Sequence, residues 1–105
     1  MMPSFIQSGE TATIECDIDR GRPYISAIIF YKDNQEIYRY TAGAANSVTA
    51  LPAYGVTINM RKMYKREEIE LINTSPMTSG VYTCKVLMNH PQMSFAQFSG
   101  HLKVF

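Results

Sequence analysis

Apolar and polar residues alternate along this chain in short bursts, and turn-forming residues separate the bursts. In Thr11-Ala12-Thr13-Ile14-Glu15-Cys16-Asp17-Ile18, the residues Ala12, Ile14, Cys16 and Ile18 share one side, the period of a half-buried strand. The same reading predicts strands at 3–7, 11–18, 26–32, 36–41, 48–51, 56–60, 66–72, 80–88 and 94–105. Between them lie Ser8-Gly9, Asp19-Arg20-Gly21-Arg22-Pro23, Asp33-Asn34-Gln35, the small residues from Gly43 to Ser47, Pro52, and the turns at 73–79 and 89–93. No stretch sustains a helical period, although the charged segment 60–70 comes nearest. Nine short strands with this punctuation predict an all-β chain, folded as two packed antiparallel sheets.

Length and charge narrow the classes. At 105 residues the chain predicts one domain, 1–105, with a single core. A formal net charge of +1 points away from nucleic acid and from an anionic membrane surface. No apolar run approaches the roughly 18 to 20 residues that span a bilayer. Any membrane attachment is therefore expected from parts of a fuller protein outside this sequence. The start, Met1-Met2-Pro3-Ser4, lacks the basic head and apolar run of a signal peptide. An excised domain or an incomplete gene product is expected ahead of an intracellular protein.

The most specific stretch is Ser79-Gly80-Val81-Tyr82-Thr83-Cys84. Tyr82 and Cys84 share one face of a strand, and a Tyr two residues before a Cys, just after a turn, is the tyrosine corner of an immunoglobulin sandwich. Cys16 is the other cysteine, 68 positions earlier, a separation expected of the inter-sheet disulfide in an immunoglobulin domain with extra middle strands. In that fold's letters, 11–18 is strand B, 26–32 C, 36–41 C′, 48–51 C″, 56–60 D, 66–72 E, 80–88 F and 94–105 G. The expected fold is an immunoglobulin-like β-sandwich of V type. A Cys16–Cys84 bridge implies the oxidising cell exterior, secreted or at the surface. It would remove roughly 4 kcal/mol of unfolded-state entropy.

The run Ile28-Ile29-Phe30-Tyr31-Lys32-Asp33-Asn34-Gln35-Glu36-Ile37-Tyr38-Arg39-Tyr40 resembles the first immunoglobulin domain of the arthropod beaten path family. Its pattern is Trp-Tyr-Lys-Asp, a turn, Glu, an apolar residue, then Tyr-Arg-Tyr. The resemblance extends to Gly9 through Asp17, Gly55-Val56-Thr57-Ile58, Glu67-Glu68-Ile69-Glu70-Leu71, Thr78-Ser79-Gly80 and the segment from Ser94 to Val104. Three positions depart from it. Phe30 stands in place of the core Trp, Lys85 in place of a Glu, and Pro76-Met77 make the E–F turn atypical. The resemblance implies a neuronal recognition protein whose partner is an immunoglobulin-superfamily surface protein of the sidestep type.

Strand parity then proposes a binding face. With Phe30, Ile37 and Cys84 inward, the residues Ile29, Tyr31, Tyr38, Tyr40, Thr83, Lys85 and Leu87 face out from the G-F-C-C′ sheet. Tyrosine anchors interfaces because it buries a large area with few rotors. Arg39 is expected either on this face or paired with a carboxylate at the sandwich end. Asn73-Thr74-Ser75 is an N-glycosylation sequon in the E–F turn, with Pro76 directly after it.

Catalysis finds little support. His90 and His101 are the only histidines and read as solvated. Glu67 and Glu68 are adjacent, so on a strand they point opposite ways. No phosphate loop, zinc spacing or nucleophile elbow is present, and no enzyme activity, cofactor, metal or small-molecule substrate is expected. Arg61, Lys62, Lys65 and Arg66 read as a solvated edge, and the seven Met as core filler. Two other classes stay open. One is a structural domain of an intracellular muscle-type filament, with reduced cysteines. The other is an immune-type V-set receptor domain, although strand G lacks the Gly-x-Gly of antigen receptors.

Overall fold

The computed structural model describes residues 4–16, 25–43, 48–51, 53–59, 68–88 and 94–105. Eight strands lie among them: β1 (Phe5–Ile6), β2 (Ala12–Glu15), β3 (Ile25–Lys32), β4 (Gln35–Thr41), β5 (Val48–Ala50), β6 (Glu68–Leu71), β7 (Gly80–Met88) and β8 (Ser94–Val104). One sheet has the order β1-β8-β7-β3-β4-β5, and β2 pairs with β6 in the second. All pairings are antiparallel except β1 with β8. Residues 56–59 contribute isolated bridges, Ala53 to Val56 and Ile58 to Leu71, rather than the expected strand D. Ile18, the loop 19–23, the basic run 61–66, Glu67 and His90 lie outside the described residues.

Local chemistry sets the connections. Asp33 and Asn34 both adopt positive φ, 50° and 69°, which closes β3 and β4 with a two-residue turn. Asn and Asp tolerate that conformation because their short side chains bond locally. The Asp33 amide donates to the Val81 carbonyl at 2.8 Å, and its Oδ1 accepts from the Val81 amide at 2.9 Å. This clasp ties the hairpin tip to the start of β7. It also explains Gly80, where a Cβ would stand 2.7 Å from the Asp33 carboxylate.

Between β6 and β7, Pro76–Thr78 form a single 3-10 turn, the form that the atypical Pro76-Met77 turn takes. Thr78 is buried within it; its hydroxyl donates to the Gly55 carbonyl and accepts from the Ser75 amide. Tyr82 Oη donates to the Thr78 carbonyl at 2.6 Å. That bond is the tyrosine corner, and it fixes where β7 begins. Burial and, next, the charge of Asp33 push the Tyr82 pKa well above the usual tyrosine value.

The core lies between the sheets. Cys16, at the end of β2, is bonded to Cys84 on β7 with Cα atoms 5.8 Å apart. Phe30 pairs with Cys84 across β3 and β7 and is fully buried. Ile14, Ile69, Leu71, Val86, Leu102 and Val104 fill the rest. Each such side chain stabilises the fold by roughly 1.5 to 3 kcal/mol relative to exposure.

Candidate recognition face

β7 runs through the middle of the large sheet and alternates cleanly. On the core side Tyr82, Cys84 and Val86 are buried; on the outer side Val81 is exposed, Lys85 and Leu87 are half-exposed, and Thr83 is covered. Its register carries that parity to both neighbours. On β3, Ile29 pairs with Lys85 and Tyr31 with Thr83, so both face outward. On β8, Phe95 pairs with Leu87, Gln97 with Lys85, Ser99 with Thr83 and His101 with Val81.

Side chains knit this outer surface together. Lys85 Nζ stands 4.6 Å from the centroid of the Phe95 ring, a cation–π contact. Phe95 itself is 60% exposed. Thr83 and Ser99 hydroxyls share a hydrogen bond of 2.9 Å. Arg39, paired with Ile29 on the β4 side, bonds Glu36 through two nitrogens, at 2.6 and 3.2 Å. The hydrogen bonds that Arg39 donates to Glu36 hold its guanidinium above its ordinary pKa. Arg39 therefore belongs to this face, and its carboxylate partner is three residues away on the same strand. Tyr31 and Leu87 are half-buried around these groups.

Four residues expected on the face lie elsewhere or are covered; one of them, Thr83, points outward but is only 9% exposed. Tyr38 is only 3% exposed, and its ring stands edge-on to Phe30 at 5.8 Å, inside the core. Tyr40 pairs with Ile28, the inward parity, and packs half-buried against the core edge. The reason is a register shift. Phe30 pairs with Tyr38 but Tyr31 pairs with Glu36, so Ile37 is an extra residue without a partner on β3. Ile37 and Tyr38 consequently both turn inward, and parity counted from Ile37 gives the wrong side for Tyr38 and Tyr40. Burial, and then Tyr40, raise the Tyr38 pKa. Ile29 does face outward, but it is 3% exposed, since its cross-strand neighbours are the long side chains of Lys85 and Arg39.

Phe95 is the residue that the sequence reading missed. The signal was present: with Leu102 and Val104 inward, every odd position of β8 back to 95 points out. Asn73 lies exposed in the β6–β7 connection, away from this surface. His101 is exposed at the β8 end of the face. Among the described residues, no cluster of three or more His, Cys, Asp or Glu could hold a metal.

With the sheets, disulfide and tyrosine corner in place, known structures can be compared. The V domain of amphioxus IgVJ-C2 superposes with a TM-score of 0.74 at 20% identity, over 96% of this chain and 98% of that one. The fold is that of an immunoglobulin V domain. The amphioxus IgVJ-C2 molecule matches with a TM-score of 0.72 at 19% identity, over 95% of this chain and 54% of that chain. Murine CEACAM1b matches with 0.71 at 17%, over 98% and 50%. This chain thus spans about half the length of the latter two. No family model and no curated protein matches the sequence, so the beaten path assignment gains no support from comparison.

Proposed function

We propose that this V domain is an extracellular recognition module that binds an immunoglobulin-superfamily surface protein through the outer face of β8, β7, β3 and β4. The observation that carries the reading is the Lys85–Phe95 pair. An aromatic ring 60% exposed, held under a cation and paired across strands with Leu87, is a ready anchor in a surface where Arg39 bonds Glu36 and Thr83 bonds Ser99. Arg39 and Glu36 neutralise each other, whereas Lys85 carries a charge with no carboxylate partner among the described residues, in the middle of the sheet. A partner with a carboxylate opposite Lys85 is favoured, because such complementarity steers encounter and register.

The bonded Cys16–Cys84 pair favours the cell exterior over an intracellular filament. The beaten path resemblance narrows the partner to a sidestep-type protein, and its support is the sequence run from Ile28 to Tyr40. The test is a binding screen against immunoglobulin-family ectodomains. Phe95→Ala and Tyr31→Ala are compared with Thr13→Ala on the opposite sheet. Each change on the face is expected to weaken binding by about 1 to 3 kcal/mol, and the control by nothing measurable. Equal losses on both sheets would remove the case for this face.

A further inference from the structure

We infer that Asn73 is the acceptor of an N-linked glycan. The sequon Asn73-Thr74-Ser75 occupies the connection between β6 and β7, and the fold presents it in a particular way. Its flanks are pinned. The Ile72 amide donates to the Thr57 carbonyl at 2.9 Å. Thr74 is buried; its carbonyl accepts from the Gly9 amide at 2.9 Å and its hydroxyl donates to the Glu10 carbonyl at 2.6 Å. Asn73 between them is exposed, with φ of 53°. The left-handed backbone, which Asn adopts at little cost, lifts the residue out of a chain held on both sides. A sugar on Nδ2 therefore displaces no packed group.

The position also spares the recognition face. The Ser8 amide donates to the Phe105 carbonyl and the Gly9 amide to Thr74, so Asn73 lies at the end of the sandwich where β8 finishes. β7 pairs Gly80 with Leu102 there and Leu87 with Phe95 at the far end. Those pairs are seven residues apart, roughly 23 Å at about 3.3 Å per residue.

The chemistry needs a lipid-linked oligosaccharide pyrophosphate as donor. Asn73 Nδ2 bonds to the anomeric carbon, the bond from that carbon to the pyrophosphate oxygen breaks, and the lipid pyrophosphate leaves with the electron pair. The amide proton passes to a base of the transferase. Pro76 stiffens the chain directly after the triplet and limits the fraction of molecules modified.

The inference rests on the exterior reading only in that the chain must enter the secretory pathway. In the test a cleavable heterologous leader supplies that entry, so failure of this site and failure of the recognition face are separate results. The 105-residue chain is expressed in eukaryotic cells, and its intact mass is read in medium and lysate, before and after peptide N-glycosidase. The expected result is a fraction of chains shifted by one glycan; the glycosidase removes that shift and leaves an Asp in place of the modified Asn73. Asn73→Gln and Ser75→Ala lose the shift, and Pro76→Ala and Ser75→Thr enlarge the shifted fraction. Unshifted mass in the wild type, Pro76→Ala and Ser75→Thr together overturns the inference. So does a shift that survives Asn73→Gln.

Discussion

β7 and β4 both pair with β3, yet their side chains obey different rules. On β7, Tyr82, Cys84 and Val86 point to the core and Val81, Lys85 and Leu87 away from it, with no break in register against β8. On β4, the consecutive residues Ile37 and Tyr38 are both buried, because the ladder with β3 skips Ile37. β7 is pinned at several points, by the disulfide, the Tyr82 hydroxyl and the Asp33 clasp. β4 lies between β3 and the three-residue β5, and a single extra residue there re-aims two tyrosines. One anchor on a strand fixes its faces only up to the next bulge.

The largest test of this contrast removes the pin on β7. Replacing both Cys16 and Cys84 with Ala should cost about 4 kcal/mol, from the entropy of the freed loop. Denaturant midpoints at constant slope measure it, and a loss under 1 kcal/mol would mean that packing alone holds β7 in place.

Next in size is Tyr38→Ala. Emptying a site inside the core should cost about 3 kcal/mol of stability, whereas Tyr31→Ala on the outer face should cost under about 1 kcal/mol. Comparable losses from the two would put Tyr38 back on the surface.

Phe30→Trp sharpens the same point. The sequence alone leaves slack at Phe30, where the fold usually has a larger ring. In the structure the Tyr38 ring stands against Phe30, so a Trp meets occupied space. The expected cost is about 2 kcal/mol from overpacking. A double-mutant cycle with Tyr38→Val should recover part of it, and additivity would separate the two sites.

Tyr82→Phe should cost about 1 kcal/mol through the lost bond to Thr78. It has a second signature in pH. Tyr82 and Tyr38 are both raised above the tyrosine value of 10.0, burial being the first cause in each. Above about pH 10 the unfolded chain loses these protons while the folded chain keeps them. Stability is therefore unaffected by them below that pH and falls as pH rises past it, by up to about 1.4 kcal/mol per unit for each tyrosine. The Phe variant should show a shallower alkaline decline in urea titrations than the wild type.

Much of the fold was legible in the residue pattern. Alternation in β2 and β7, the Ile- and aromatic-rich run of β3 and the turn residues bounding the other stretches located β2, β3, β4, β5, β7 and β8 to within a residue or so among the described residues. Tyr82, Cys84 and Cys16 sit where local spacing puts them: a corner and a bridge depend on residues whose relations in the strand are rigid. Other features were set by tertiary structure. Whether Tyr38 and Tyr40 face the core or the solvent depends on the ladder between β3 and β4, since a bulge costs one residue and leaves no mark in composition. Ile29 is hidden because Lys85 and Arg39 arrive beside it from strands far apart in sequence. Phe95 joins Lys85 only through the β7–β8 register. Alternation along a strand is a local property of the backbone, whereas the neighbours across strands exist only once the sheet has formed.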